Sequence, residues 1–316
     1  WEFPIGADTK LLPDGEAPNH FQYELHNAAY PARMALEASL FTRDEDWARA
    51  FAYPVIAGSA KFFTSVFKRG ADRRWGIHVT PSMGQDEFGG ENSPDYLCAL
   101  FAAEYTLRAA LEITRFLRMR PKAAALWRTI LREGLAFPRL LQKSTGVYAT
   151  SGKKGWQLRK QKHPVQLSPY IFLPSEHIDA PTRRAYAIRE ALCLNNRPDM
   201  RHPGAEGSFS EGWTLPAYAL ACSRAGDPQG LLETLSEMDV AQLCDHERIQ
   251  IYESSGFWGP YYTTSMGLFL QAVSGAIFED TPGATPCKGI WPEATSRNLH
   301  TRNIGPVSST PEKNDG

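Results

Sequence analysis

The chain of 316 residues is long enough for one large domain or two ordinary ones, and it can bury a substantial core. Its 34 Lys+Arg against 35 Asp+Glu leave a net charge of -1, with no basic excess to suit nucleic acid and no acidic run to suit a disordered or metal-rich tail. A mean hydropathy of -0.38, with no apolar run near the roughly 18 residues of a membrane helix, predicts a soluble chain.

In chain order, apolar residues recur at helical spacing through most of the sequence. A first helix is expected at about 24–42. In a second, Trp47, Phe51, Val55, Phe62 and Val66 share one face, with Asp44 as a cap. A third carries Leu97, Leu100, Phe101, Leu107 and Leu111, with Ser93 as N-cap and Pro94 at the first helical position. Leu126, Ile130, Phe137 and Leu141 form another stripe. Further helices are expected at about 180–194, 214–225, 229–237 and 263–275. No series of alternating runs builds a sheet, since stretches such as 76–80 and 249–252 are too short.

Long polar or Gly/Pro-rich loops at about 1–22, 70–92, 144–179, 195–213 and 245–262 separate these helices, and loops of that length are usually functional. Helical hairpins joined by alternately short and long connections describe an all-α (α/α)6 toroid, in which the long loops on one rim build the site. We expect one catalytic domain over 1–295, lacking the first helices of its ring, and a flexible tail over 296–316 rich in Ser, Thr, Asn and Pro. The start at Trp1 suggests a sequence that begins within a longer protein. The five cysteines (Cys98, Cys193, Cys222, Cys244, Cys287) show no CxxC or His–Cys spacing, so no metal site and no cofactor are expected.

Two segments concentrate chemistry. Gly84-Gln85-Asp86-Glu87-Phe88-Gly89-Gly90-Glu91-Asn92 is an acidic, glycine-flanked loop just before a helix. Glycosidic cleavage needs a proton donor for the leaving oxygen and a second carboxylate opposite it, and such a loop can deliver one of them. Solvated charges favoured by the following helix dipole explain the same residues. The second segment, from Ile251 through Glu253 to Tyr262, sets one carboxylate among five aromatics, either as a sugar pocket or as a buried aromatic turn.

Together they carry a resemblance. The acidic loop, followed by a helix, is similar to the "GPDEY…EN" signature of glycoside hydrolase family 65, which contains acid trehalases, other α-glucosidases and disaccharide phosphorylases. Trp1-Glu2 with Asp8-Thr9, then Tyr23-Glu24-Leu25-His26, looks like the family's "PWES…TG…E-x-H" stretch. Glu253, followed ten residues later by Thr263-Thr264-Ser265-Met266-Gly267-Leu268-Phe269-Leu270-Gln271, is similar to the base-bearing segment and its "NFLTGxGGFLQ" helix. The order of segments matches from Trp1 to about Ile277. Gln85 and Phe88 replace the family's Pro and Tyr, and Tyr261-Tyr262 replace Asn-Phe. The β-sandwich that precedes the family's barrel, its "WD" motif and the small β-domain after the barrel are not found here.

The resemblance implies an inverting hydrolase of α-linked glucosides of the trehalose, kojibiose or maltose type, with Glu87 as general acid and Glu253 as general base. It implies a sugar site that includes Trp1, Glu24, Gln161, Gln166 and Trp213. Gln161 follows from a Lys160-Gln161 match and Gln166 from the competing match at His163-Pro164-Val165-Gln166-Leu167, which also resembles a stretch of α-L-fucosidase family 95. Ser254-Ser255 keep a disaccharide phosphorylase open, because phosphorylases hold phosphate with serines nearby. A family 95-like fucosidase, a polysaccharide lyase, an inactive truncated barrel and a non-catalytic scaffold stay open as well. The expected partner is a small carbohydrate, with no nucleic acid and no membrane. Oligomeric state is open, and an extracellular or vacuolar compartment is slightly favoured over the cytoplasm.

Overall fold

The computed structural model describes residues 24–79, 93–154, 156, 158, 161, 163–193, 213–247, 250–253, 256–257, 259–279 and 287–288. These residues are mostly helical. The helices are α1 (Ala29–Thr42), α2 (Glu45–Trp47), a π-wound turn (Ala48–Ala52), α3 (Tyr53–Val66), α4 (Leu97–Phe116), α5 (Ala123–Glu133), α6 (Phe137–Leu140), α7 (Ala180–Ala187), α8 (Thr214–Ala225), α9 (Pro228–Val240) and α10 (Thr263–Ile277). Short antiparallel hairpins pair β1 (Phe67–Arg69) with β2 (Trp75–Ile77), β3 (Leu141–Gln142) with β4 (Val147–Tyr148), and β5 (Phe278–Glu279) with β6 (Cys287–Lys288). The all-α class expected from periodicity holds, and no helix among the described residues is long and apolar enough to cross a membrane.

Two apolar clusters make the interior. In the first, α1 and α3 pack on α4, and α4 packs on α5. In the second, α8 packs on α9 and α10. Both are centred on a helix with a broad apolar face: Leu97, Ala99, Leu100, Ala102, Ala103 and Leu107 of α4 are fully buried, as are Ala217, Tyr218, Ala219 and Ala221 of α8. Arg33 and Arg224 join the clusters. Arg33 Nη1 donates to the Phe172 carbonyl at 2.7 Å, and Arg224 Nη1 donates to the carbonyls of Tyr170 and Ile171 at 2.7 and 2.6 Å. The second guanidinium nitrogens of both meet Gln271 Oε1 at 3.3 Å.

Asp44 caps its helix as expected, its Oδ1 accepting from the Trp47 N–H at 2.9 Å. The stripe that follows lies on a different face from the one expected. Ala48, Ala52, Ile56, Ser59, Ala60 and Phe63 face the core, whereas Trp47 and Phe51 are exposed and Val55, Phe62 and Val66 are half-buried. The reason is the π-wound turn before Pro54. Proline has no N–H and its ring crowds the carbonyl four residues back, and widening the turn relieves both while rotating the stripe out of phase. Similarly, α4 is not capped by Ser93: its N-cap is Tyr96, and the Leu97 N–H is satisfied by the distant Thr150 carbonyl at 2.8 Å. The stripe from Leu126 to Leu141 is broken at Gly134. Ile130 is buried as expected and Phe137 half-buried, but Leu126 and Leu141 are exposed, with Ala124, Trp127 and Leu140 buried in their place. The helix expected at 180–194 is α7 followed by a single 3₁₀ turn at Arg189–Ala191.

Candidate functional site

Several residues named from the sequence are brought together from three separate segments. A 3₁₀ turn, Leu25–Ala28, opens α1, and Glu24 stands at its start. Asn27 Nδ2 donates to Glu24 Oε2 at 2.8 Å, and His26 Nε2 lies 3.9 Å from the same oxygen. One turn on, the Tyr30 ring meets the His26 ring edge-on at 6.1 Å. Tyr30 also packs edge-on against Phe172 at 6.4 Å, and Phe172 against Trp213 at 4.8 Å. Trp213 in turn stacks at 37° on His163, with centroids 4.4 Å apart. These contacts string His26, Tyr30, Phe172, Trp213 and His163 into one chain of rings, and His163 acts on the charge of His26.

Burial governs the electrostatics of His26 and Tyr30. Burial first, and His163 second, lower the pKa of His26 to about 4, against the pull of Glu24. Burial also pushes the Tyr30 phenol well above its ordinary value, with Cys98 and Glu24 adding to the effect. At neutral pH the site offers a neutral imidazole, a neutral phenol and ring faces. The Nδ1 atom of His26 is buried without a hydrogen-bond partner among the described residues. Such a surface suits a polar but uncharged molecule with both apolar faces and hydroxyls.

Gln161 and Gln166 are almost completely buried and bind one another. Gln161 Nε2 donates to Gln166 Oε1 at 2.6 Å, and Gln166 Nε2 donates to Gln161 Oε1 at 3.2 Å and to the Tyr148 carbonyl at 3.1 Å. The pair closes the short loop that contains His163, and Gln161 also bridges to Cys193. As placed, the two amides hold that loop and present His163 to Trp213.

Glu253 lies on the turn between Ile251 and α10 and is half-buried. Its N–H donates to the Gly259 carbonyl at 2.9 Å, while Tyr252 N–H donates to the Leu243 carbonyl at 2.8 Å. Gly259 adopts φ +68°, and a Cβ there would fall 2.6 Å from the Glu253 Cβ and 3.1 Å from Oε2, so only glycine fits. Tyr252 packs edge-on to Phe257 at 5.3 Å, and Phe257 and Tyr261 are 47% and 76% exposed. The aromatic turn is therefore a surface feature with a half-buried carboxylate.

Glu87 and Trp1 lie outside the described residues, as do Asp86, Glu91, Lys160, Ser254, Ser255, Trp258 and the stretch 296–316. The two ends of the loop that carries Glu87 are described, and they are clamped. Asp95 N–H donates to the Ile77 carbonyl at 2.7 Å, and Ile77 N–H donates to Asp95 Oδ1 at 2.8 Å. Arg139 binds the other oxygen of Asp95 at 3.0 Å and holds Asp72 with two further bonds, keeping the Asp72 carboxyl well below the usual range. Gly76 sits where a Cβ would fall 2.4 Å from Asp95 Oδ1.

The sequence reading named Glu24 and Trp213 but did not single out His26, Asn27, Tyr30 or Phe172 as a group. The local signals were the Glu24-Leu25-His26 match and the i, i+4 spacing of His26 and Tyr30. A cavity of about 320 Å³ lies elsewhere, lined by Arg189, Glu190, Glu233, Thr234 and Glu237, without an aromatic wall. Among the described residues no group of His, Cys, Asp or Glu could hold a metal ion. Compared with protein-family models and with curated proteins, the chain matches none.

Proposed function

We propose that this chain forms the helical core of an inverting glycoside hydrolase acting on α-linked glucosides, built as an (α/α)6 toroid, with Glu87 as general acid and Glu253 as general base. The observation that carries the proposal is the chain of packed rings beside Glu24, in which His26 and Tyr30 are held neutral. Sugar rings present C–H faces to aromatic rings and hydroxyls to carboxylate, amide and imidazole, and they carry no charge to be stranded among groups kept uncharged. A phosphate or nucleotide would need cations there instead. Trp213 supplies a stacking wall and Glu24 a hydroxyl acceptor. Gln161 and Gln166 act by fixing the loop of His163, and Trp1 belongs to the same sugar site.

In the reaction the Glu87 carboxyl protonates the leaving glycosidic oxygen while the Glu253 carboxylate draws a proton from a water that attacks the anomeric carbon from the opposite face. This requires the two carboxyl groups about 6.5–9.5 Å apart. The half-buried setting of Glu253 among aromatics suits a base that works on one ordered water.

The test is a panel of α-linked disaccharides with anomer-resolved NMR at early times, with and without phosphate. Free β-glucose, formed independently of phosphate, is expected. β-Glucose 1-phosphate with a requirement for phosphate would move the function to a phosphorylase, and α-glucose appearing first would refute inversion. Glu87→Gln is expected to slow an alkyl α-glucoside by about a thousandfold, and a glycosyl fluoride, whose leaving group needs little protonation, much less. Equal losses on both would make Glu87 structural.

A further inference from the structure

The helix from Glu45 through Val66 turns one face to α1 and α4 and the other outward. On the outward face lie Asp44, Trp47, Phe51, Pro54, Gly58 and Lys61, all exposed, at alternating spacings of three and four residues. Phe51 is 63% exposed and Trp47 is 37% exposed, their rings 6.4 Å apart. From residue 50 to residue 60 the sequence contains no charged residue. The one nearby cation on the helix before that stretch, Arg49, is turned to the Leu117 carbonyl at 3.3 Å. At Gly58 an added Cβ would meet nothing within 4 Å, so the helix presents a notch there.

We propose that this face is a self-association surface on which a second copy of the chain docks its own helix, antiparallel, about a two-fold axis between Ala52 and Tyr53. The face is complementary to itself about that point and about no part of the helix beyond it. Reversing the helix sets Trp47 opposite Gly58, Phe51 opposite Pro54 and Asp44 opposite Lys61, each pair equidistant from the axis. A bulky ring thus meets a notch, an apolar ring meets a flat proline, and an acid meets a base, twice over by symmetry. Like charges facing one another would oppose the same apposition, and none of these six positions sets them together. A single helix pair buries an area at the low end of stable interfaces, so the dimer is weak and concentration-dependent.

Sedimentation velocity on the full chain, over about a hundredfold range of concentration around the micromolar values of small interfaces, tests this. The mass is expected to rise from one copy toward two. Gly58→Glu fills the notch in open space and Phe51→Asp changes an exposed ring, so neither is expected to lower the thermal midpoint by more than a degree or two, and each is expected to weaken association by at least about tenfold. A chain carrying Trp47→Cys with Gly58→Cys, whose two positions are too far apart along one helix to bridge, is expected to form a covalent dimer on mild oxidation. Trp47→Cys with Lys61→Cys, out of register, is expected to cross-link far less. A chain monomeric at every concentration would overturn the proposal and assign the face to another part of a longer polypeptide or another protein. A dimer indifferent to Gly58→Glu and Phe51→Asp, or one cross-linked equally by both cysteine pairs, would overturn it too.

Discussion

His26 is the side chain whose environment reads most directly onto solution behaviour. Folding holds it neutral down to about pH 4, whereas the unfolded chain takes up the proton near the ordinary 6.5. A lowered pKa on a base means that the unfolded state binds more protons as pH falls. The His26 contribution to stability is therefore complete above pH 6.5 and is lost on the way down to about 4, by on the order of 3 kcal/mol. Urea midpoints followed from pH 7.5 to 4.5 are expected to fall less steeply in His26→Gln than in the parent chain. Parallel curves would show that the imidazole is not desolvated. Asp95 carries a different kind of constraint, since its buried carboxylate answers both the Ile77 N–H and Arg139 from a positive φ of 52°. Asp95→Ala strands both partners and is expected to cost about 2–4 kcal/mol, with Asp95→Asn costing less because it still accepts from Ile77. Equal losses in the two variants, measured by chemical denaturation, would mean that the clamp at the loop ends contributes little.

At the scale of elements, the helix through residues 45–66 is the informative case. Its glycine at 58 carries the entropic penalty of glycine in a helix without any close approach within the chain that needs it. Gly58→Ala is expected to raise stability by about 0.5–1 kcal/mol, read as a higher thermal midpoint. A fall would mean that the Cβ meets something on the outward face. The same helix shows how a local reading goes astray. Trp47, Phe51 and Val55 fall on one apolar stripe of the run, and hydrophobicity alone sends them inward. The space against α1 and α4 accepts only Ala48, Ala52 and Ile56, because helices packed closely there leave room for small side chains.

Over the whole molecule, two apolar clusters share a joint of buried guanidinium groups rather than a continuous core. Arg224 donates to two carbonyls of the segment at Tyr170 and Ile171, and burial beside Arg33 pulls its own pKa down to about 10. Arg224→Leu removes those donors and leaves the carbonyls unpaired. It is expected to cost about 2–4 kcal/mol and to split the thermal transition, with the calorimetric enthalpy exceeding the van't Hoff value. A single lower-temperature transition would show that the clusters are coupled by packing elsewhere. The joint also bears on the site, because Phe172 stands between Arg33 and Trp213.

Much of this architecture was legible in the chain. Helical periodicity located α1, α4, α8, α9 and α10 to within a few residues, the boundaries of α8 agree with the expected 214–225, and Asp44 caps where its type and position require. Helix formation and capping are settled within a few residues, so sequence carries them. Which face turns inward at α3, why Tyr96 rather than Ser93 starts α4, and how Gln161 finds Gln166 depend on partners far along the chain. Glu24 and Trp213 could be named from motifs, but their convergence with His26, Tyr30, His163 and Phe172 could not. These rings come from three segments well apart in the chain, and only tertiary packing desolvates them together. The sequence by itself determined the helical class and which residue types are available to a site. Tertiary structure decided which of them come together, because burial and long-range contact, not local propensity, set the spacing of these groups and the protonation of His26 and Tyr30.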